Sequence, residues 1–309
     1  MHIIHFNLPA VAPFRLDLTV WALRRRARNI VDRWDGVCYT RVFTFEHSPV
    51  KVEIEQITEK PQISVVAYAH HPWVNLQSQI TDLLNTMLGL NLDLTWFYEL
   101  TKNDPILHSL VLKYKGLKPP RFPSIFETLT NAIACQQVSL EAALSLVNNL
   151  TARYGKPFKE RNQVFYAFPE PYDIMRCTEE ELKTLGFSQR KSETLILIAS
   201  TIFKKEKTFC DLDRLSNENI IEHSCRLKGI GRWSAEYLLL RGLGRTEILP
   251  GDDVGVQKSV QLFLKLRKKS DYHKIKKIEK KWHPYAGLIY FHFLLKKLSE
   301  MGVIEDFSS

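Results

Sequence analysis

The chain has no uninterrupted apolar run approaching the roughly 20 residues that a membrane-spanning helix needs. It has no apolar leader core either, because Arg15 and Asp17 break the one candidate stretch before Trp21 and four arginines follow it, so an intracellular soluble protein is expected. Its five cysteines (Cys38, Cys135, Cys177, Cys210, Cys225) are odd in number and scattered, without a CxxC pair or histidines at zinc-ligand spacing. Zinc and disulfide frameworks are therefore not expected. There is no internal repeat and no low-complexity tract. With 45% hydrophobic and 25% charged residues the composition is that of an ordinary globular chain, which excludes disorder and collagen-like structure.

At 309 residues the chain is long enough for about two domains. Its charge is divided unevenly: residues 1–112 carry 10 Lys and Arg against 11 Asp and Glu, and residues 113–309 carry 33 against 23. A polyanionic partner for the second part is one reading of that excess, although many basic proteins touch no nucleic acid. The first 70 residues read largely as β. Val50 to Glu55 alternates apolar and charged, as a half-buried antiparallel strand requires, and Val37–Phe45, Ile63–Ala69 and a strand near Phe14–Val20 complete a small meander. Helical spacing over Trp21–Trp34 places a helix across that sheet, and Arg24, Arg25, Arg26 and Arg28 are expected on its surface face. From Leu76 the period becomes helical. Between Lys113 and Pro123 the basic, proline-rich segment is not expected to be helical. This marks the boundary between an α+β part, 1–112, whose last helices pack on the other part, and a helical part, 113–309. Helices are expected there almost without interruption, from Ser124–Cys135 to residues 284–299. The lysine-rich run 265–281 is expected to be mainly a solvated helix face with diffuse attraction for polyanions.

The most informative stretch is Leu227-Lys228-Gly229-Ile230-Gly231-Arg232-Trp233-Ser234-Ala235-Glu236-Tyr237, between two helical patterns. Its glycines allow a short hairpin that brings bare N–H groups and a helix N-terminus against a phosphate. The carbonyls of Cys225, Leu227 and Gly229 would converge there, where Na⁺ or K⁺ could bridge them to the same phosphate. An ordinary helix-Gly-helix corner would look the same. Beyond Gly231, after one helix and a loop, stands Leu249-Pro250-Gly251-Asp252-Asp253-Val254-Gly255-Val256.

This order and spacing resembles the helix-hairpin-helix, Gly/Pro-rich loop and aspartate signature of the DNA glycosylase superfamily. Phe126-Glu127 to Ser139, Leu185 to Lys191 and Trp282 to Ala286 fit it too, and with the N-terminal meander the chain is similar to the DNA-3-methyladenine glycosylase II branch. The resemblance is specific between residues 113 and 299 and weaker before them. It implies an α+β fold: a small antiparallel sheet with helices, then an all-helical glycosylase region with its helix-hairpin-helix at 217–243. Asp253 maps to the catalytic aspartate, a carboxylate that would stabilise an oxocarbenium-like sugar and orient the attacking water; a helix N-cap is the competing reading, and for Asp252 a cap or loop role is preferred. Trp233 stands where strand-cutting relatives carry a Schiff-base lysine, which implies monofunctional base excision.

Trp233 and Tyr237, at i and i+4, map to aromatic pocket positions suited to a cationic base, with Phe14 or Trp21 as a further wall. Val254 replaces the aromatic residue that follows the aspartate in this branch, which leaves substrate breadth open. Gln137, with Gln136 beside it, maps to the side chain that fills the gap left by the flipped base, and Ser139 would cap the next helix. Lys228, Gly229, Gly231 and Arg232 would contact DNA backbone. The implied function is removal of alkylated purines (3-methyladenine, 7-methylguanine type) from damaged double-stranded DNA by a monomer that needs no cofactor and no membrane. The location would be the cytoplasm, at the nucleoid in a bacterium, or the nucleus in a eukaryote. The alternatives are a glycosylase for oxidised or deaminated bases and a catalytically silent DNA-binding module. An iron–sulfur relative is disfavoured, since no cysteine follows Cys225.

Overall fold

The structure, a computed structural model, describes residues 1–57, 60–72, 74–205, 209, 211–268 and 270–304. Cys210 and Lys269 lie outside the described residues. The N-terminal region is one antiparallel sheet of β1 (His2–Pro9), β2 (Arg33–Trp34), β3 (Cys38–Phe45), β4 (Ser48–Gln56) and β5 (Gln62–Ala69), in the order β1-β5-β4-β3-β2. Ile54 of β4 pairs with Tyr39 and Val65, and Val50, Val52 and Ile54 all face the core, as the alternation requires. The opposite face is less solvated than that alternation implies. A hairpin of β6 (Pro157–Glu160) and β7 (Gln163–Tyr166) closes over it and buries Lys51, whose ammonium is held by Glu53 at 2.9 Å and by Glu160. This hairpin lies in a stretch between two expected helices to which the sequence assigned no element.

Two N-terminal expectations need correction. Residues Leu16–Arg24 form helix α1, not a strand at Phe14–Val20, and no helix extends to Trp34. Leu16, Val20 and Leu23 repeat at helical spacing, and the Gln56 side chain accepts the Leu16 N–H at 2.7 Å, which starts the helix. Arg25 ends it in the left-handed region at φ 62°. The strand missed by the sequence reading is β1, whose Ile4-His5-Phe6-Asn7-Leu8 alternation was visible but lay before the stretch taken as the meander.

Thirteen further helices follow among the described residues: α2 (Leu76–Leu88), α3 (Thr95–Thr101), α4 (Pro105–Lys113), α5 (Ile125–Cys135), α6 (Leu140–Tyr154), α7 (Pro171–Met175), α8 (Glu179–Thr184), α9 (Gln189–Phe203), α10 (Asn217–Cys225), α11 (Arg232–Arg241), α12 (Val254–Phe263), α13 (Tyr272–Trp282) and α14 (Ala286–Glu300). They divide between two apolar clusters. Helices α5 to α11 surround one built on Leu129, Ile133, Leu195, Ile198 and Leu238, whereas α3, α4 and α12 to α14 share another with Leu18 and Ala22 of α1. Helix α11 is buried from Ser234 to Arg241 and reaches every part of the interior, with Tyr237 against the sheet core, Leu238 and Leu239 in one helical cluster and Leu240 in the other. Its buried charges are satisfied, Glu236 by Lys276 and the Gly251 N–H and Arg241 by the Ala22 and Leu23 carbonyls.

The proline-rich segment after α4 is non-helical and also buried: Leu117 and Lys118 are fully covered, Arg121 N–H donates to Met87 and Phe122 N–H to Arg241. It straps α2 to α11. The sheet is locked to the helices by Arg41 of β3, which pairs at 2.5 Å with both Asp32 and Glu127 of α5. A buried guanidinium between two carboxylates keeps its charge, and the pairing fixes where α1 ends relative to α5 and α11.

Candidate active site

A cleft of about 890 Å³ opens between the two helical clusters. Its walls come from the α5–α6 loop, the N-terminus of α9, the hairpin before α11, the loop before α12 and the middle of α14. At the rim lies Asp253, the N-cap of α12. Its Oδ1 accepts the Val256 N–H at 2.9 Å and its Oδ2 accepts the Trp233 indole N–H at 3.0 Å. Asp253 is thus the helix N-cap that one reading expected, and the cap holds its carboxylate still where it lines the cleft. Trp233 has two tasks as well. Its indole orients Asp253, and its ring lies 5.4 Å from that of Tyr237 on the cleft wall.

The loop carrying the aspartates is clamped from behind by Glu236, which is 1% exposed. Its Oε2 accepts the Gly251 N–H at 2.9 Å, and its Oε1 accepts the Tyr272 hydroxyl at 3.0 Å and pairs with Lys276 at 2.9 Å. Glu279 accepts the Leu249 N–H at 3.1 Å. Helix α13 therefore holds the aspartate loop as well as carrying the lysine run. Asp252 pairs with Arg232 at 3.0 Å, and that guanidinium lies 3.7 Å above the Tyr272 ring. Arg232 is thus committed at least in part to the loop.

The hairpin runs from the end of α10 to the start of α11. Gly229 takes φ +91°, and a Cβ there would lie 2.0 Å from the Thr194 hydroxyl, so the position needs glycine on both counts. A Cβ at Gly231 would meet nothing within 4 Å, which leaves the N-terminus of α11 open on that side. Lys228 is exposed and pairs with Glu193 at 2.7 Å. Of the three carbonyls considered for a cation, Leu227 O already accepts the Ile230 N–H and Gly229 O accepts the Gln136 side-chain amide at 3.0 Å.

Residues 130–284 match the HhH-GPD superfamily of base excision DNA repair proteins. The chain belongs to that superfamily. It is 27% identical to a DNA-3-methyladenine glycosylase of Bacillus subtilis, over 92% of this chain and 94% of that protein. It is 33% identical to DNA-3-methyladenine glycosylase 1 of Schizosaccharomyces pombe, over 55% of this chain and 71% of that one. A solved 3-methyladenine DNA-glycosylase from Archaeoglobus fulgidus superposes with a TM-score of 0.82 over 97% of this chain and all of the other, at 23% identity, and so shares the fold.

For this HhH-GPD chain the expected site residues divide into those that meet at the cleft and those that do not. Asp253, Trp233, Tyr237, Gly229, Gly231, Gln136 and Gln137 all line it. Phe14 and Trp21 do not, which corrects the expectation of an aromatic wall from that region. Phe14 is buried in the sheet core, and Trp21 packs in the second helical cluster beneath the Arg24 guanidinium. Gln136 is bound to Gly229 O and to Ser234 Oγ at 3.2 Å, so it braces the α5–α6 loop against the hairpin and is not free to insert. Gln137, exposed at φ 56°, and exposed Val138 form the tip of that loop, with Ser139 capping α6 as expected.

The sequence reading missed Glu236, Tyr290 and Arg25. For Glu236 a signal existed, since one carboxylate within the apolar run Ala235–Leu240 must find partners. For Tyr290 and Arg25 there was none, because tertiary packing alone brings them to the cleft. Burial pushes the Tyr290 and Tyr237 hydroxyls above their ordinary pKa, so both remain protonated and able to donate. Burial lowers the Lys191 ammonium, which lines the cleft and donates to Ala134 O at 2.9 Å.

Proposed function

We propose that the chain hydrolyses the N-glycosidic bond of alkylated purines in duplex DNA, the first step of base excision repair. The observation that carries this reading is the Asp253 carboxylate, held by an N–H and an indole at the rim of an aromatic cleft large enough for a purine. Membership of a base excision repair superfamily and likeness to chains named as 3-methyladenine glycosylases support it. With the base turned into the cleft, C1′ lies near the rim. Positive charge developing on the sugar is then stabilised by a carboxylate that needs no reorganisation, and the same group orients water. A purine alkylated at N3 or N7 is already cationic and leaves without protonation, so one carboxylate suffices. Trp233 provides no amine for a Schiff base, and the Lys191 amine is bound to Ala134 O, so water is the nucleophile and the strand remains uncut.

DNA backbone would run over Gly231 and the open end of α11, with Lys228 beside it, while Gln137 at the loop tip enters the vacated stack. A monovalent cation at the hairpin would use the second lone pairs of Leu227 O and Gly229 O together with Cys225 O. The protein would act as a monomer, in the nucleoid of a bacterium or the nucleus of a eukaryote. The test is single-turnover release of free base from methylated duplex DNA. Asp253→Asn is expected to lower the rate at least about 100-fold, or about 2.7 kcal/mol of barrier, with duplex binding retained. Binding without release by the wild type would favour the silent module, and equal rates would move the catalytic carboxylate elsewhere.

A further inference from the structure

The cleft that begins at a carboxylate ends at a cation. Arg25 is 5% exposed, and its guanidinium sits among neutral partners: Nη1 donates to the Tyr237 hydroxyl at 3.2 Å and lies 3.8 Å from Cys135 Sγ, and Nη2 donates to Asn131 Oδ1 at 2.7 Å. Arg25, Tyr237 and Cys135 all line the cleft, and Arg25 is buried where Asp253 is half-exposed, so the guanidinium belongs to its deeper part, with both Nη1 hydrogens spent on Tyr237 and Cys135. These contacts use three of the five guanidinium donors, and Nε has no partner. Nearby Glu127 is already paired with Arg41, and the Asp253 carboxylate is held by the Trp233 indole and the Val256 N–H. Arg241, the second buried cation here, donates to the carbonyls of Ala22 and Leu23 and does not line the cleft. A buried cation with unused donors favours an acceptor and excludes a further donor.

A purine enters this cleft in a known sense. Its N9 edge must stay beside C1′ at the rim near Asp253, so the atoms that go deepest are those opposite N9, namely N1, C6 and the substituent on C6. We propose that Arg25 is a specificity-determining residue that reads position 6 of the flipped purine, accepting a 6-oxo oxygen (hypoxanthine, 7-methylguanine) and disfavouring the 6-amino group of 3-methyladenine. The inference rests on the glycosylase reading and deepens it. The Trp233 and Tyr237 faces tolerate any purine and attract a cationic one, whereas the floor distinguishes an acceptor from a donor.

The test compares single-turnover release of hypoxanthine, 7-methylguanine and 3-methyladenine from duplexes by the wild type, Arg25→Met and Arg25→Lys, each checked for folding by thermal melting. Arg25→Met is expected to slow release of both 6-oxopurines at least tenfold more than release of 3-methyladenine, and Arg25→Lys to restore part of that difference. Quenching of intrinsic tryptophan fluorescence by free bases tests the unaltered protein, where hypoxanthine should act at a concentration at least tenfold lower than adenine. Parallel loss of all three releases in a folded variant, or equal quenching by the two free bases, would overturn the proposal and leave the glycosylase reading intact. A wild type that releases no base from any duplex would overturn both.

Discussion

Two runs of positive charge look alike in the sequence, Arg24-Arg25-Arg26-Arg28 and the lysine-rich 265–281, and the fold treats them in opposite ways. Arg24 and Arg25 are 4% and 5% exposed, and Arg26 and Arg28 pair with Glu141 of α6. Lys277, Lys280 and Lys281 stay in solvent, and Lys276 turns inward onto Glu236 and Glu279. Chemistry and position explain the difference. Arginine is weakly hydrated and has five donors in a planar fork, and α1 ends where carbonyls gather: Arg24 donates to the carbonyls of Trp34, Arg26 and Ala27. The lysine ammonium is strongly hydrated, and along this run it turns inward at Lys276, where two carboxylates meet it.

The most severe test of this contrast is Arg24→Ala. It removes the donor to three partly buried carbonyls and the guanidinium stacked on Trp21, so a loss of about 2 kcal/mol is expected in urea unfolding. A loss below 0.5 kcal/mol would put Arg24 back among surface charges. His292 sharpens the same rule, because it is a buried base with no anion to meet. Its Nδ1 bonds to Leu288 O at 2.8 Å, Nε2 has no partner, and Phe97 and Tyr114 cover it. Burial lowers its pKa to about 4 from an ordinary 6.5. The unfolded chain therefore takes up the proton first, so the stability it contributes is complete above about pH 6.5 and falls as pH drops toward 4, by roughly 3 kcal/mol in all. His292→Phe should flatten that portion of the stability profile; an unchanged profile would show that another group causes the fall.

Smaller effects separate the two roles of the lysine-rich helix. Glu236→Gln keeps the shape but not the charge that holds Lys276, so about 2 kcal/mol of stability and about tenfold in base release are expected to be lost together. Loss of stability with an unchanged release rate would detach the clamp from the chemistry. Lys277→Ala should change stability by less than about 0.5 kcal/mol while lowering the salt dependence of duplex binding by about one unit of slope. No change in slope would mean that this face does not meet DNA.

Much of the site was legible because its parts are local. Gly229 and Gly231 announce a hairpin, Asp253 announces a cap, and the 20 residues between Trp233 and Asp253 are one helix and one loop, so their meeting follows from short-range geometry. Strand β4 was legible from its alternation of apolar and charged residues, and β3 and β5 from their β-branched and aromatic residues. Helix α1 was misread because it is apolar toward two cores at once, which blurs its period, and the arginine run hid where it ends.

Local pattern determined the existence of a sheet followed by helices, and together with the family resemblance it marked out the hairpin, the aspartate and the aromatic pair, since each depends on neighbours within a few turns of chain. Tertiary structure decided what stands opposite them. Arg25 reaches Tyr237 across 212 residues and Asn131 across 106, because Arg41 binds β3 to Glu127 and so sets the end of α1 against α5 and α11. The acceptors that bury the Arg25 charge come from distant segments, and no window of sequence contains them.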